Sequence, residues 1–171
     1  MFTVLILEDD TEQQKAITKI LEEHYNEWIL YTAATYKEAC NLIETKNFDL
    51  FLLDIELNTA YIDDLDCDGL DFGKYIRSIK KYTYAPIVYL TALPDRIFFA
   101  LQELHCSSYL VKPYTAYKLI ETLDYIIGEQ TEKEKALLKN KTILSGHAPK
   151  FKRGKTVFER DTLKIVEMDV L

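Results

Sequence analysis

The stretch FDLFLLD (48–54) is an apolar run interrupted by one aspartate and ended by a second. It is too short for a helix, and its apolar residues occupy both faces of a pleated chain. It therefore reads as a strand covered on both sides, the kind found in parallel sheets. The same signature recurs before and after it, at TVLIL (3–7), WILYTAA (28–34), PIVYLT (86–91) and SSYLV (107–111). Pro86 suits the first position of its strand. Between the runs lie longer stretches of helical period. Thr11 opens one to His24, with Ala16, Ile17, Ile20 and Leu21 as its apolar stripe. Thr35 opens the next to about Lys46, turning Ala39, Leu42 and Ile43 inward. LDFGKYIRSIKK (70–81) is the third. Asp95 begins a fourth reaching about His105, and Thr115 a fifth through Ile127 or beyond. Strands alternating with helices predict an α/β fold with an open, doubly wound parallel sheet of five strands. In the strand order 2-1-3-4-5, the first and third strands flank the switch point where ligands bind, beyond the carboxyl ends of the strands.

Composition fits this reading. The chain has 171 residues, of which 48% are hydrophobic and 29% charged, enough for one core plus an appendage. The net charge of −7 argues against a chain-wide nucleic-acid surface. MFTVLILEDD meets acid too soon to be a secretory or membrane-spanning segment, and no later run approaches 18 apolar residues. No membrane partner and a cytoplasmic location are expected. Cys40, Cys67 and Cys106 lack metal-ligand spacing and are expected as reduced thiols. His24, His105 and His147 show no pairing and are read as non-catalytic.

The domain division expected is 1–128 for the α/β unit, 129–146 for a highly charged helical extension or linker, and 147–171 for a short β-type tail. The tail reads strand–turn–strand around Gly154 and is too short to build a core. Its basic group, Lys150, Lys152, Arg153 and Lys155, is expected to face water.

Chemistry gathers where the strands end. The first ends in Glu8, Asp9 and Asp10; the third in Asp54, with Glu56 beyond; the fourth in Thr91; the fifth in Lys112, before Pro113 and a rigid turn. Two like charges about 4 Å apart cost roughly 4 kcal/mol at an effective dielectric near 20. Lys112 can offset one carboxylate, and a hard divalent cation, Mg²⁺ or Mn²⁺, can offset more through oxygen ligands. Asp54 is the candidate nucleophile, able to attack phosphorus and form an acyl phosphate. Lys112 would pair with the phosphoryl group and Thr91 would hydrogen-bond it.

These features in this order resemble a two-component response regulator receiver domain over residues 1–128. The matching residues are the acidic cluster after the first strand, Asp54 after LFLL, Thr91-Ala92, and Lys112-Pro113. The resemblance implies a flavodoxin-like fold and a phosphoacceptor switch rather than an enzyme, with at most slow loss of its own phosphoryl group. It implies Asp54 as phosphoacceptor for a sensor histidine kinase. It also implies metal binding by Asp9 with Glu8, Asp54 and the backbone carbonyl of Glu56. Asp10 is the alternative to Glu8; equally, Asp10 can cap the first helix while Asp9 binds metal. Thr91 and Tyr109 match the family's switch pair. Phosphorylation would then change a partner or dimer surface formed by the fourth helix, fifth strand and fifth helix, in control of transcription.

One departure stands out. Asp54 and Gly69 are fifteen positions apart with no proline between them, and Asp63, Asp64, Asp66 and Asp68 line the gap. That insert is expected to be a solvated acidic loop. FKRGKTVFERDTLKIVEMDVL (151–171) is similar to the start of a LytTR-type, AgrA-like DNA-binding domain. Such a domain needs far more chain, so DNA contact is expected only from a complete output domain. Two other classes compete. A haloacid-dehalogenase-type phosphohydrolase also uses a strand-end Asp, a Thr, a Lys and Mg²⁺, but wants an acid Asp two positions on, where Glu56 stands. A constitutive binding module would leave Asp54, Thr91 and Lys112 without purpose.

Overall fold

The computed structural model describes residues 2–57 and 67–145. The acidic residues Asp63, Asp64 and Asp66, His147, the basic group and the whole 147–171 tail lie outside the described residues. The chain divides into two units, Met1–Thr131 and Glu132–Leu171, and the sheet belongs to the first. Its elements are β1 (Thr3–Leu7), α1 (Thr11–His24), β2 (Ile29–Ala33), α2 (Tyr36–Thr45), β3 (Leu50–Leu53), α3 (Gly69–Ser78), β4 (Ile87–Thr91), α4 (Ile97–Gln102), β5 (Ser108–Val111) and α5 (Ala116–Ser145). All pairings are parallel, in the order β2-β1-β3-β4-β5.

The continuous apolar runs are explained by the pleat, which sends alternate residues to opposite layers. Leu5, Leu7, Phe51, Leu53, Ile87 and Tyr89 pack against Ala39 and Ile43 of α2, Phe72 and Ile76 of α3, and Ala100 of α4. Val4, Ile6, Leu50, Leu52, Val88 and Leu90 pack against Ile17 and Leu21 of α1 and Leu119, Leu123 and Ile126 of α5. Each such side chain contributes roughly 1.5–3 kcal/mol on burial, so both layers are needed to hold a sheet that presents no polar face.

Several boundaries differ from expectation, each for a local reason. Asp10, not Thr11, caps α1: its Oδ1 accepts from the amides of Glu12 and Gln13 at 2.9 and 3.0 Å. Ala16 is exposed, and only Ile17 and Leu21 of the proposed stripe are fully buried. Asp68 is not a loop carboxylate. It caps α3 in a reciprocal box, its side chain accepting from the Asp71 amide at 2.9 Å while the Asp71 side chain accepts from the Asp68 amide at 3.3 Å. Helix α3 stops at Ser78, and Lys80–Tyr82 form a separate 3-10 turn. Pro94–Arg96 form another ahead of a short α4, because proline fits the first turn of a helix. The Lys112–Pro113 peptide is cis.

Arg77 joins what these breaks leave apart. Its guanidinium donates to the carbonyls of Leu104 (2.8 Å), Tyr82 (2.9 Å), Ala85 (2.8 Å) and His105 (3.2 Å). Nearby, burial pushes the Cys106 thiol up from 9.0 to about 11, against the pull of Arg77. At pH 8 this leaves roughly a hundredfold less thiolate than an unshifted cysteine. In a timed alkylation of the folded protein read by peptide mass, Cys106 should be modified last; early modification would show that the site is open.

Candidate functional site

Sheet register builds the site before any side chain is considered. Leu7 pairs with Leu53 across β1 and β3, so the next residues, Glu8 and Asp54, leave the sheet side by side. Thr91 pairs with Val111, which brings Lys112 out beside the end of β4. Backbone bonds hold these exits: Asp54 N–H to Leu7 O at 2.8 Å, Glu8 N–H to Ala33 O at 3.0 Å, and Lys112 N–H to Thr91 O at 2.9 Å.

The side chains then converge. Lys112 Nζ donates to Asp54 Oδ2 at 2.6 Å and to Glu8 Oε2 at 2.7 Å. Glu8 is 1% exposed and Asp54 6%, and Thr91 is fully buried. Burial raises the Glu8 carboxyl to about 7, although Lys112 pulls it down. Burial opposes the charge on Lys112, but the hydrogen bonds it donates to Asp54 and Glu8 prevail and its pKa is raised. The Glu56 amide donates to Asp54 Oδ1 at 3.2 Å. Gly69, at the start of α3, sits on the peptide of Asp54: a Cβ there would stand 1.8 Å from the Asp54 carbonyl oxygen.

Carboxylate oxygens of Glu8, Asp9 and Asp54 lie within 4.8 Å of one another. Three carboxylates face one ammonium, and Glu8 Oε1 is buried with no hydrogen-bond partner. An all-oxygen donor set with excess negative charge and an orphaned buried oxygen fits a hard divalent cation. Asp10 stands apart from this group. It is spent on the α1 cap, and the amides of Gln13 and Glu12 hold its carboxyl below the usual range.

Thr91 and Tyr109 meet at one backbone residue. The Leu93 amide donates to Thr91 Oγ1 at 3.4 Å, and the Tyr109 hydroxyl donates to the Leu93 carbonyl. Tyr109 is half-buried, its ring 6.1 Å from that of Tyr89, and burial with nearby Asp95 pushes its hydroxyl up to about 12. Leu93 and Gly69 are the contributors that sequence reading did not assign to the site. Both act through backbone atoms or the absence of a side chain, and residue type announces only the second.

Nothing supports the phosphohydrolase alternative. The residue two positions past Asp54 is Glu56, and its amide serves Asp54. Among the described residues, no carboxylate beyond Lys112 joins the cluster. No described helix is long and apolar enough to cross a membrane.

Comparison with known proteins agrees with the geometry. The family model for the response regulator receiver domain matches residues 4–124. No curated protein matches the chain. Among solved structures, the fold is similar to a CheY-like receiver domain protein from Methanospirillum hungatei JF-1. That match has a TM-score of 0.66 and 24% identity, covering 78% of this chain and 98% of that one. A two-component response regulator from Clostridium difficile gives 0.64 and 25%, covering 76% and 98%. The response regulator TrrA from Thermotoga maritima, in complex with Mg²⁺-BeF, gives 0.60 and 26%, covering 73% and 98%. With an acidic cluster, a buried aspartate and a half-buried lysine gathered at the same edge of a 2-1-3-4-5 sheet, and with the family model matching residues 4–124, this chain belongs to the response regulator receiver domain family.

Proposed function

We propose that this receiver takes its phosphoryl group on Asp54 from the phosphohistidine of a sensor histidine kinase. Support comes first from the contact between Lys112 and both buried carboxylates, which places a fixed cation at the nucleophile. In the transfer, an Asp54 carboxylate oxygen forms the O–P bond as the P–N bond of the donor breaks. The leaving imidazole keeps the electron pair and takes up a proton. Lys112 turns its ammonium from Asp54 to the incoming phosphoryl oxygens, where its charge is worth most because water is excluded. Glu8, Asp9, Asp54 and the backbone carbonyl of Glu56 would hold the divalent ion, Mg²⁺ or Mn²⁺, which when bound screens the phosphoryl charge as a Lewis acid.

The switch follows from the Leu93 junction. Phosphorylation adds about −1.5 to −2 charges at Asp54. The Thr91 hydroxyl, already at the pocket, leaves the Leu93 amide for the phosphoryl group. The turn carrying Leu93 then shifts, and Tyr109, bonded to its carbonyl, shifts with it. Two states of one turn thereby report the charge at Asp54 to the surface of α4, β5 and α5. That surface serves partner binding or a homodimer formed on phosphorylation, and through a complete output domain it serves transcription. The similarity of residues 151–171 to a LytTR-type start is the ground for the last point. A cytoplasmic setting is part of the same reading.

The test is intact-mass measurement after incubation with a small phosphodonor and Mg²⁺. One phosphoryl mass is expected, lost with chelator and lost in Asp54→Ala. No gain, or an undiminished gain in Asp54→Ala, would overturn the assignment.

A further inference from the structure

The acidic triplet after β1 supplies metal-site carboxylates and a helix cap from three consecutive residues, and one side chain of α1 closes it into a loop. Gln14 stands one turn into α1, where its backbone amide donates to the Asp10 carbonyl at 2.8 Å. Its side chain turns back to the sheet. Nε2 donates to the carbonyl of Glu8 at 3.0 Å and to the carbonyl of Ala33, the last residue of β2, at 3.3 Å. Both partners are acceptors only, so the NH2 end of the side chain must face them, and each of its two hydrogens has a carbonyl to meet. The same Ala33 carbonyl accepts from the Glu8 amide at 3.0 Å. The peptides on either side of Glu8 are thereby both pinned to the end of β2. A peptide is planar, so holding the Glu8 carbonyl oxygen sets the plane from which the next residue, Asp9, departs. Gln14 is half-buried and spends both donors on strand ends.

We propose that Gln14 is a positioning residue for the divalent ion, and that by fixing the turn that carries Asp9 it sets the preference of the site for Mg²⁺ over Ca²⁺. It acts through the backbone of Glu8 and touches neither the ion nor the phosphoryl group. The proposal rests on the ion-binding part of the function proposed above, and on the carboxylate oxygens of Glu8, Asp9 and Asp54 that lie within 4.8 Å of one another. Asp54 leaves a strand paired on both sides, and its own amide is bonded to Leu7. Asp9 has no such frame, since it lies beyond the end of β1 in the turn to α1. The Asp10 cap anchors that turn to the helix, and Gln14 anchors it to the sheet. Mg²⁺ demands near-ideal octahedral geometry at about 2.0–2.1 Å, whereas Ca²⁺ accepts flexible arrangements at about 2.3–2.6 Å. A turn left slack therefore weakens the smaller ion more than the larger one.

The experiment measures Mn²⁺ binding to the full chain by loss of the free-ion electron paramagnetic resonance signal, then displaces the Mn²⁺ with Mg²⁺ and with Ca²⁺. Gln14→Met keeps the length of the side chain and removes both donors. Affinity for Mn²⁺ and Mg²⁺ should fall about tenfold, as when a partner that orients a metal ligand is lost, and affinity for Ca²⁺ should fall less. Thr18→Val is the control. It removes a hydroxyl that donates to the Gln14 carbonyl at 2.8 Å, so it disturbs α1 at the same place and leaves the clamp intact. Its ion affinities should match those of the parent. Gln14→Glu, above neutral pH, also removes both donors but adds a negative charge, which by itself would draw a cation in. Weaker Mn²⁺ binding is expected there too, and this variant decides the matter if Gln14→Met does not remain folded by circular dichroism. Unchanged or tighter Mn²⁺ binding in the folded variant, equal losses for Mg²⁺ and Ca²⁺, or an equal loss in Thr18→Val would overturn the assignment. Asp9→Asn separates this from failure of the underlying reading. If it leaves Mn²⁺ affinity as in the parent, the ion site itself fails and the role of Gln14 with it. If it abolishes binding while Gln14→Met does not weaken it, only the positioning role is lost.

Discussion

Gly69→Ala is expected to lower the thermal midpoint by roughly 10 °C and to abolish phosphoryl acceptance by the protein that remains folded. The added Cβ would lie 1.8 Å from the carbonyl oxygen of Asp54, 2.8 Å from its carbonyl carbon and 3.0 Å from Ile55 Cα. All three are backbone atoms, so no side chain can rotate out of the way. Relief requires moving either the α3 cap, which is fixed by the Asp68–Asp71 box, or the end of β3, which is fixed by the Asp54 amide on Leu7. Overpacking usually costs about 1–3 kcal/mol, and a clash between two tethered backbones belongs at or above the upper end. The smaller shift needed to survive displaces Asp54 from Lys112, which removes function before it removes the fold. Urea unfolding and intact-mass phosphorylation of the same sample separate the two effects. A variant within a degree or two of the parent would mean that α3 does not rest on the phosphoacceptor peptide.

Lys112→Met should be nearly as costly, for an electrostatic reason. The side chain is similar in length, but Glu8 and Asp54 lose their shared cation while remaining almost inaccessible to water. Removing one partner of a buried pair typically costs about 3–5 kcal/mol because a charge is left uncompensated. The loss should be largest in chelator, where no other cation can substitute. The rate of phosphoryl gain should fall on the order of a hundredfold or more, as when a preorganised charge is removed from a reacting centre. Lys118→Met is the natural comparison. Its bridge to Glu121 at 2.8 Å is on the surface, where solvent screens it, and its removal should leave the unfolding midpoint essentially unchanged. Equal small effects from the two substitutions would show that Lys112 does not neutralise the site.

Why so much of this was legible in the sequence, and where legibility stopped, can be seen in particular residues. LFLL and TVLIL are apolar on both faces, and only a sheet sandwiched between helices buries both, so fold class followed from strand composition alone. The site followed because parallel register carries Glu8, Asp54, Thr91 and Lys112 out of the sheet on one edge. The triplet Glu8-Asp9-Asp10 was not resolvable, because three adjacent carboxylates differ only in direction. The structure gives Asp10 to the helix and groups Glu8 and Asp9 with Asp54. Asp68 read as one more loop acid, since a capping box depends on where the helix starts. Ala16 read as a core residue because helical period identifies a stripe and not its width. The Leu93 junction and the four carbonyls at Arg77 left no trace, since any residue supplies an amide or a carbonyl.

Arg77 has a consequence for how the molecule opens. Its planar donors reach the turn after α3, the entry to β4 and the segment that leads into β5, three stretches that adjoin in space but not along the chain. None can swing outward without stranding a guanidinium half-buried among the others, and burial already depresses the Arg77 pKa. Slow hydrogen–deuterium exchange should therefore find the amides of Tyr82, Ala85 and Cys106 released in one concerted event, and Arg77→Met should split that event into separate, faster ones.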